Sequence, residues 1–290
     1  MLGNGINRCV ISNIAWGDLL SDVAKNNGVY LNENISFPMQ FETIVSQILK
    51  RSNTPTKDVY EKVKQEIIDK LKNATLPNNA PHGFLTKNVD SVITTNYDFL
   101  IEQSIDKNFS IERNKMGNNK YNIKNSVLVF EKEVFHIHGD LRGAQSICLG
   151  YEHYARTVKH LIDSIASTKK NNNTAQIPTI IWALQNKVHM KTWAEKFFTD
   201  DVNIIGLGLT QSEIDIWWLI TYRASLMFSN RYESKRLIKN NIIYHDIGIE
   251  PDRNMEFTLE NLGVKYRFYY ISKKDNEYYL QKYIDLSKSI

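Results

Sequence analysis

Residues 90–98 read Asp-Ser-Val-Ile-Thr-Thr-Asn-Tyr-Asp, a short apolar run that ends in a cluster of polar side chains. A second apolar run ends in the same way at residues 136–140, which read His-Ile-His-Gly-Asp. Open α/β sheets gather their ligand-binding and reacting groups where the strands end. Together the two segments therefore predict an enzyme site at the edge of a sheet.

Hydrophobic periodicity predicts strands that alternate with helices along the chain. Predicted strands are residues 90–95, 127–130, 134–137, 202–207, 241–246 and 266–271, and predicted helices are 41–49, 59–71, 99–105, 154–165 and 213–227. Two polar tracts, 107–124 and 167–174, have the composition of loops, and the first could form a weak hairpin. This alternation is typical of an α/β fold with a mostly parallel sheet.

Composition limits the class of protein and its compartment. The 290 residues are 42% hydrophobic, without an apolar stretch near the roughly 18 to 20 residues of a membrane span. With Cys9 and Cys148 alone, one chain can build neither a disulfide framework nor a four-cysteine zinc site. Because residues 1–7 lack the organisation of a secretory signal, we expect a cytoplasmic protein without a membrane partner.

The net charge of +4 comes from scattered Lys and Arg residues and does not by itself indicate nucleic acid. Binding of nucleic acid through residues 107–124, with Lys169 and Lys170, is therefore the weaker hypothesis.

Each polar strand end allows a structural and a functional interpretation. Glycines at residues 3–5 and 206–208 could admit a pyrophosphate close to the backbone, or could serve only the geometry of the turn. Asn96 could hold a ribose hydroxyl or a water, or could cap the next helix. His138 could be a general base or a structural histidine. His136 could be a supporting partner of the site, but packing is the favoured explanation.

The order of these segments resembles the sirtuin family along most of the chain, and most closely the bacterial sirtuin-like proteins of anti-phage defence. In those proteins the fold acts as an NAD hydrolase. Residues 2–7 resemble their first cofactor loop, residues 94–98 with Ile101 and Glu102 their asparagine motif, and residues 136–139 their histidine motif. Residues 205–215 are similar to their later nucleotide-binding turn.

The resemblance implies a Rossmann-type sirtuin-like fold and assigns roles to individual residues. Asn96 and His138 would be the catalytic pair, and no metal would take part. The residues implied to bind NAD are Gly3, Gly5 and Asn7 at the phosphates, Asp98 on the nicotinamide side, Gly206, Gly208 and Thr210 at the adenosine half, and also Thr95. Asp98 could equally be a helix-start carboxylate.

Two departures from the family matter. The zinc module of sirtuin deacetylases needs four cysteines, so its absence makes deacetylation a poor expectation here. In addition, only Met1 and Leu2 precede the first glycine turn, where a doubly wound sheet usually has a strand. Either that strand is absent, or the true start lies upstream, or these residues are not a phosphate loop.

The function implied is hydrolysis of the nicotinamide–ribose bond of NAD, which serves as substrate, through a transition state of oxocarbenium character. Asn96 would position ribose or water, and a neutral His138 would accept a proton. The domain would be single, residues 1–290, with insertions near 30–85 and 107–130. The resemblance also implies restraint of the activity until infection, a homo-oligomer, and in some relatives a hexameric ATPase partner.

Two further alternatives concern partners. The same pocket could bind NAD or ADP-ribose without turnover, as a sensor or scaffold subunit of a defence complex. The apolar face of the helix at 213–227, formed by Ile214, Trp217, Trp218, Ile220 and Leu226, could be a partner surface, although burial in the protein's own core is favoured by its spacing.

Overall fold

Adjacent apolar residues in the central strands point to opposite faces of a sheet, as strand geometry requires. The computed structural model describes residues 1–12, 14–110, 123–166, 179–229 and 237–290. Val92 and Val134 are buried in a core on one face, whereas their neighbours Ile93 and Phe135 belong to the core on the other. Both faces must therefore be covered, which explains the near-continuous apolar sequence of these strands.

Within the described ranges, six strands form two three-stranded ladders. They are β1 (Ser91–Thr94), β2 (Val127–Val129), β3 (Lys132–His136), β4 (Val202–Ile205), β5 (Ile242–Gly248) and β6 (Lys265–Tyr270). The orders are β2-β3-β1 and β4-β5-β6, and every pairing is parallel except that of β2 with β3. The prediction of a mostly parallel α/β arrangement flanked by helices is confirmed.

Leu2 joins the two ladders. It forms parallel bridges with Thr94 of β1 on one side and with Ile205 of β4 on the other. Its N–H donates to the carbonyl oxygen of Ile93 at 2.8 Å, and the N–H of Gly3 donates to that of Ile205 at 2.9 Å. A single residue, outside any strand, therefore occupies the position of the leading strand and links the two ladders.

Helices cover both faces of the sheet. Their bounds are α1 (Gly5–Arg8), α2 (Trp16–Asn26), α3 (Phe37–Leu49), α4 (Thr56–Leu71), α5 (His82–Thr86), α6 (Leu100–Ile105), α7 (Tyr151–Ile165), α8 (Ile180–Gln185), α9 (Trp193–Thr199), α10 (Ile214–Met227), α11 (Arg253–Asn261) and α12 (Asn276–Ser287). Residues of α1, α5, α6 and α12 share one core with the sheet, and residues of α7 to α11 share the other. A short 3₁₀ helix, Ala144–Ser146, follows β3.

A third core lies among α2, α3 and α4, which pack against one another. Phe41 of α3 and Val63 of α4 are fully buried there. This helical group accounts for much of the insertion predicted near residues 30–85, and α3 also contacts α7. It therefore stands beside the carboxyl end of the sheet, where the polar strand ends lie.

Several predictions fall on residues that the structure does not describe. The hairpin suggested for 107–124 lies mostly outside the described residues, as do Lys169, Lys170 and the tract 167–174. Within the described ranges, the helices are all too short or too polar to cross a membrane. Of the segment at 107–130, the structure places β2 at the sheet edge.

Candidate active site

The register of β1 and β3 brings the two polar strand ends together. Thr94 pairs with His136, so Asn96 and His138 each lie two residues beyond the last paired position. The backbone stays joined past the strands, because the N–H of Ile137 donates to the carbonyl oxygen of Thr94 at 3.0 Å. The predicted asparagine and histidine are therefore held on neighbouring chain segments.

Asn96 is buried, with 2% of its surface exposed. Its N–H donates to Oγ1 of Thr94 at 3.0 Å, and its carbonyl oxygen lies 2.7 Å from Nδ1 of His136. Its side-chain amide is different, since neither Oδ1 nor Nδ2 has a hydrogen-bond partner among the described residues. Such a group costs about 1–3 kcal/mol when buried, so the hydrogen-bonding capacity of this amide is unused among the described residues.

The N-cap residue of α6 is Phe99, which forms no side-chain cap, and Asp98 immediately precedes it. Oδ1 of Asp98 accepts the N–H of Leu100, the first residue of that helix, at 3.2 Å. The helix-cap interpretation of Asn96 is therefore wrong, and the helix-start interpretation applies to Asp98. Burial raises the pKa of the Asp98 carboxyl to about 6.

His138 is almost completely buried at the end of its segment. Its Nε2 lies 2.8 Å from Oδ2 of Asp215, its Nδ1 lies 4.0 Å from Oε2 of Glu213, and its ring meets that of Tyr154 edge-on at 5.2 Å. Burial opposes protonation of the ring, but the two carboxylates outweigh it and raise the pKa of His138. The neutral ring required of a base is thus less favoured than in an ordinary histidine.

The two carboxylates beside His138 come from the start of α10, where Glu213 is the N-cap residue and Asp215 lies in the first turn. The sequence predicted a helix and a nucleotide-binding turn here, but it did not predict these two residues as part of the site. Burial raises the pKa of Glu213 to about 7. Oδ1 of Asp215 and Oε2 of Glu213 are buried without a hydrogen-bond partner among the described residues. The signal in the sequence is a pair of carboxylates two positions apart at the start of an apolar helix.

The three side chains also offer polar atoms within 4.8 Å of one another, close enough for a cation to bind. The contact between His138 and Asp215 has the length of a charge-assisted hydrogen bond, and we interpret it as one. Nδ1, the other ring nitrogen of His138, is not used in this hydrogen bond.

A buried polar network lies behind the strand ends. Nδ2 of Asn7 donates to Oδ2 of Asp98 at 2.8 Å, and Oδ1 of Asn7 lies 2.7 Å from Nε2 of His82. Asn7 is fully buried and is not among the residues that line the large cleft described below. Its place is therefore beneath the site, in contrast to the phosphate role implied by the resemblance.

His136 belongs to this supporting layer. Its Nε2 lies 2.7 Å from Oε1 of Glu102, and both side chains are buried. Burial alone would lower the pKa of His136, but the Glu102 carboxylate outweighs it and raises the pKa to about 9. A protonated His136 donates both N–H groups, one of them to the backbone carbonyl of Asn96, and so fixes the asparagine segment.

A cleft of about 650 Å³ opens at the junction of the two ladders. Of the predicted NAD-binding residues, it is lined by Gly5, Thr95, Gly206, Gly208 and Thr210. Its other walls include Arg8, Trp16, Phe37, Glu213, Tyr244, Asp246, Tyr279 and Tyr283. This size is within the usual range for a cofactor-sized ligand.

A much smaller pocket of about 30 Å³ adjoins the cleft. Trp16, Phe37, Thr95 and Glu213 line both spaces, whereas His138 lines only the small pocket. Thr95 and Tyr97, the two neighbours of Asn96, also line the small pocket, whereas Asn96 itself lines neither space. The predicted catalytic segments thus border a recess at the inner end of the cleft.

Three of the predicted glycines are needed for close packing of backbone. A Cβ added at Gly3 would lie 2.5 Å from the carbonyl oxygen of Gly206, and one at Gly5 would lie 2.8 Å from the same atom. Gly206 has a φ of +65°, which favours glycine. At Gly208, by contrast, an added Cβ would make an ordinary contact at 3.8 Å. Gly3 does not line the cleft.

The apolar face of α10 is only partly internal. Ile220 is fully buried, and Trp217, Trp218 and Leu226 are partly buried against the core of that face. Ile214 has 36% of its surface exposed, and it lines an open groove together with Trp217 and Trp218. The interpretation of this face as protein core therefore holds in full for Ile220 and in part for the other residues.

Fold and site together define an α/β protein with a polar recess at the carboxyl ends of parallel strands, opening into a ligand-sized cleft. Residues 90–218 match the family model described as SIR2-like domain. The match runs from β1 into the first turn of α10, so it includes Asn96, His138, Gly206 and Asp215. It supports a sirtuin-like family, whose domains are often NAD-dependent enzymes. No curated protein matches the chain.

Proposed function

We propose that this protein is an NAD glycohydrolase that cleaves the bond between nicotinamide and ribose. The strand order supports a Rossmann-type arrangement for binding the dinucleotide. Counted with Leu2 as the first parallel strand, the order across the sheet is β3-β1-Leu2-β4-β5-β6, which corresponds to the 3-2-1-4-5-6 order of dinucleotide-binding folds. Ligands bind such sheets where the order reverses, between Leu2 and β4.

The single observation that carries the proposal is the unpartnered amide of Asn96. A buried amide with two idle atoms is costly unless a ligand or water uses it. Its donor and acceptor can hold a hydroxyl and a water in a fixed relation. Ribose hydroxyls and an attacking water are the groups that hydrolysis of a nucleoside bond must position.

In this proposal the cleft holds NAD, and the small pocket, which has about the volume of one water, holds the attacking water beside His138. Hydrolysis of NAD passes through a cationic sugar, so the carboxylates near His138 favour the charge that develops. The nicotinamide ring of NAD is itself cationic, and a bound cation beside His138 would favour its neutral form. His138 would then accept a proton from water or from a ribose hydroxyl.

The cleft glycines and Thr210 would face the phosphates and the adenosine half. Gly5 and Gly206 are retained for backbone packing, and the close approach that they permit also leaves the backbone open to a ligand. Arg8 is a cation on this wall that could attract a pyrophosphate. Gly3 and Asn7 do not line the cleft, so we assign them a supporting role behind its wall instead of contact with the phosphates.

The direct test is nicotinamide release from NAD, followed by chromatography and mass spectrometry of the products. Wild-type protein should release nicotinamide, and Asn96→Ala and His138→Ala should each abolish release while the protein stays folded by circular dichroism. Asn261→Ala and His160→Ala are matched controls outside the cleft, and they should keep full activity. Tight NAD binding without turnover, both alone and with candidate partners, would refute hydrolysis and favour the sensor or scaffold alternative.

The biological setting follows from the resemblance alone. We propose depletion of NAD in anti-phage defence, held in check in the cytoplasm of the uninfected cell because unrestrained loss of NAD is harmful. A homo-oligomer and a hexameric ATPase partner stay predictions. Comparing NAD products with and without candidate partners would test whether a partner releases the activity.

A further inference from the structure

The two ring nitrogens of His138 have different neighbours. Nε2 lies 2.8 Å from Oδ2 of Asp215, whereas the nearest carboxylate oxygen to Nδ1 is Oε2 of Glu213 at 4.0 Å. An ionised carboxylate can only accept a hydrogen bond. The hydrogen of a neutral His138 must therefore sit on Nε2, which leaves a lone pair on Nδ1.

We propose that Asp215 is the positioning residue of this site: it fixes the Nε2–H tautomer of His138 and so directs Nδ1, as the basic atom, toward the small pocket. This inference rests on the proposed hydrolysis of NAD and adds a residue to its machinery. It also assigns Glu213, on the far side of the ring, as the group that passes the proton onward.

Asp215 is well placed to hold the ring. It is fully buried in the first turn of α10, and its contact with His138 joins residues 77 positions apart in the chain. The edge-on ring of Tyr154 limits rotation of the imidazole. A buried carboxylate that holds a histidine in one tautomer is the arrangement by which Ser-His-Asp triads orient their base.

The other titratable groups around the ring carry no charge that competes with this pair. Burial raises the pKa values of Tyr97 and Tyr154 well above their ordinary range, and it does the same for the Cys148 thiol. All three groups are therefore neutral near pH 7. Among the described residues, the carboxyl groups beside the imidazole are those of Asp215 and Glu213.

The proton balance of the reaction can be written with these groups. Water adds through oxygen to the anomeric carbon of ribose, and the bond to nicotinamide breaks with its electron pair on the ring nitrogen, which becomes neutral. Nδ1 of His138 takes the proton that this water loses. Glu213 lines both the small pocket and the cleft, so its carboxylate can receive that proton and release it to solvent.

The first experiment needs no variant and no substrate. In NAD-free protein labelled with ¹⁵N-histidine, the tautomer of His138 is obtained from its ring nitrogen shifts at a pH above its pKa. The signal is assigned by its loss in His138→Gln. We expect hydrogen on Nε2. A neutral ring with hydrogen on Nδ1 would overturn the inference.

The second experiment separates positioning from binding. Asp215→Asn keeps the shape of the side chain but weakens the preference for one tautomer, so the Nδ1–H form should appear and kcat should fall about 10²- to 10⁴-fold. KM should change by less than about threefold, because Asp215 does not line the cleft. Glu195→Gln is the matched control, since that buried carboxylate also lies beside a histidine, His189, outside the cleft.

The outcomes distinguish this inference from the proposed function. If wild-type protein releases nicotinamide and Asp215→Asn leaves both the tautomer and kcat unchanged, the inference is overturned and NAD hydrolysis stands. If hydrogen lies on Nε2 and Asp215→Asn populates the Nδ1–H form, the tautomer assignment is supported even in a protein that releases no nicotinamide. In that case the proposed hydrolysis alone fails.

Discussion

Replacing Asn96 by leucine is expected to make the protein more stable while abolishing any activity of the site. The amide is buried and both of its polar atoms lack a partner among the described residues, whereas leucine has a similar branched shape and no polar atom. Removing one unsatisfied buried group is worth about 1–3 kcal/mol. The free energy of unfolding should therefore rise by about that amount.

The measurement is thermal or urea unfolding of the NAD-free protein. At about 2.1 cal/mol/K per residue, the unfolding entropy of 290 residues is about 0.6 kcal/mol/K, so the midpoint should rise by roughly 2–5 °C. The matched control is Asn7→Leu. Asn7 is buried too, but its amide bonds to Asp98 and His82, so that variant should lose about 2–6 kcal/mol.

Opposite signs for one substitution at two buried asparagines would separate a ligand-binding amide from a structural one. If Asn96→Leu instead lowered the free energy of unfolding by more than about 1 kcal/mol, the amide would have a structural partner. The functional interpretation of Asn96 would then lose its physical basis.

Two further predictions concern packing and pH. Gly3→Ala should lower the free energy of unfolding by about 1–3 kcal/mol or more because its Cβ meets backbone, whereas Gly208→Ala should change it by less than about 0.5 kcal/mol; equal unfolding midpoints for the two variants would contradict this. His136 has a folded pKa of about 9 against about 6.5 unfolded, so its contribution to stability is complete below about pH 6.5 and is lost as the pH rises through 9. His136→Gln should flatten that decline in urea unfolding, and an unchanged slope would show that His136 is neutral when folded.

Local patterns in the sequence were enough to locate Asn96 and His138 at strand ends. Short apolar runs bounded by polar residues define strands within one or two positions, and the polar residues that follow them fall at the edge of the sheet. The strand at Ser91–Thr94 and the helix at Ile214–Met227 were predicted in this way. The helices at Arg253–Asn261 and Asn276–Ser287 were not predicted, because polar and apolar residues are mixed within them.

The features that the sequence did not reveal depend on contacts between residues that are far apart in the chain. Leu2 occupies the position of a strand because of neighbours at Thr94 and Ile205, and a two-residue apolar start has no periodicity to reveal that. The pairing of Asp215 with His138 likewise depends on tertiary structure. The glycines gave an ambiguous signal in the sequence. Gly3 and Gly206 lack a Cβ, and this lets backbone segments pack closely here just as it would let a phosphate approach the backbone.

The bridge that Leu2 forms between the two ladders has a consequence for how the chain folds. Residue 2 cannot complete the sheet until residue 205 has left the ribosome, so this segment waits for a strand that is synthesised much later. Each half-sheet has only nearby partners and can form early, whereas their union is a long-range closure step and should be slow. Amide hydrogen exchange during refolding should therefore protect Leu2 and Gly3 after the ladders on either side.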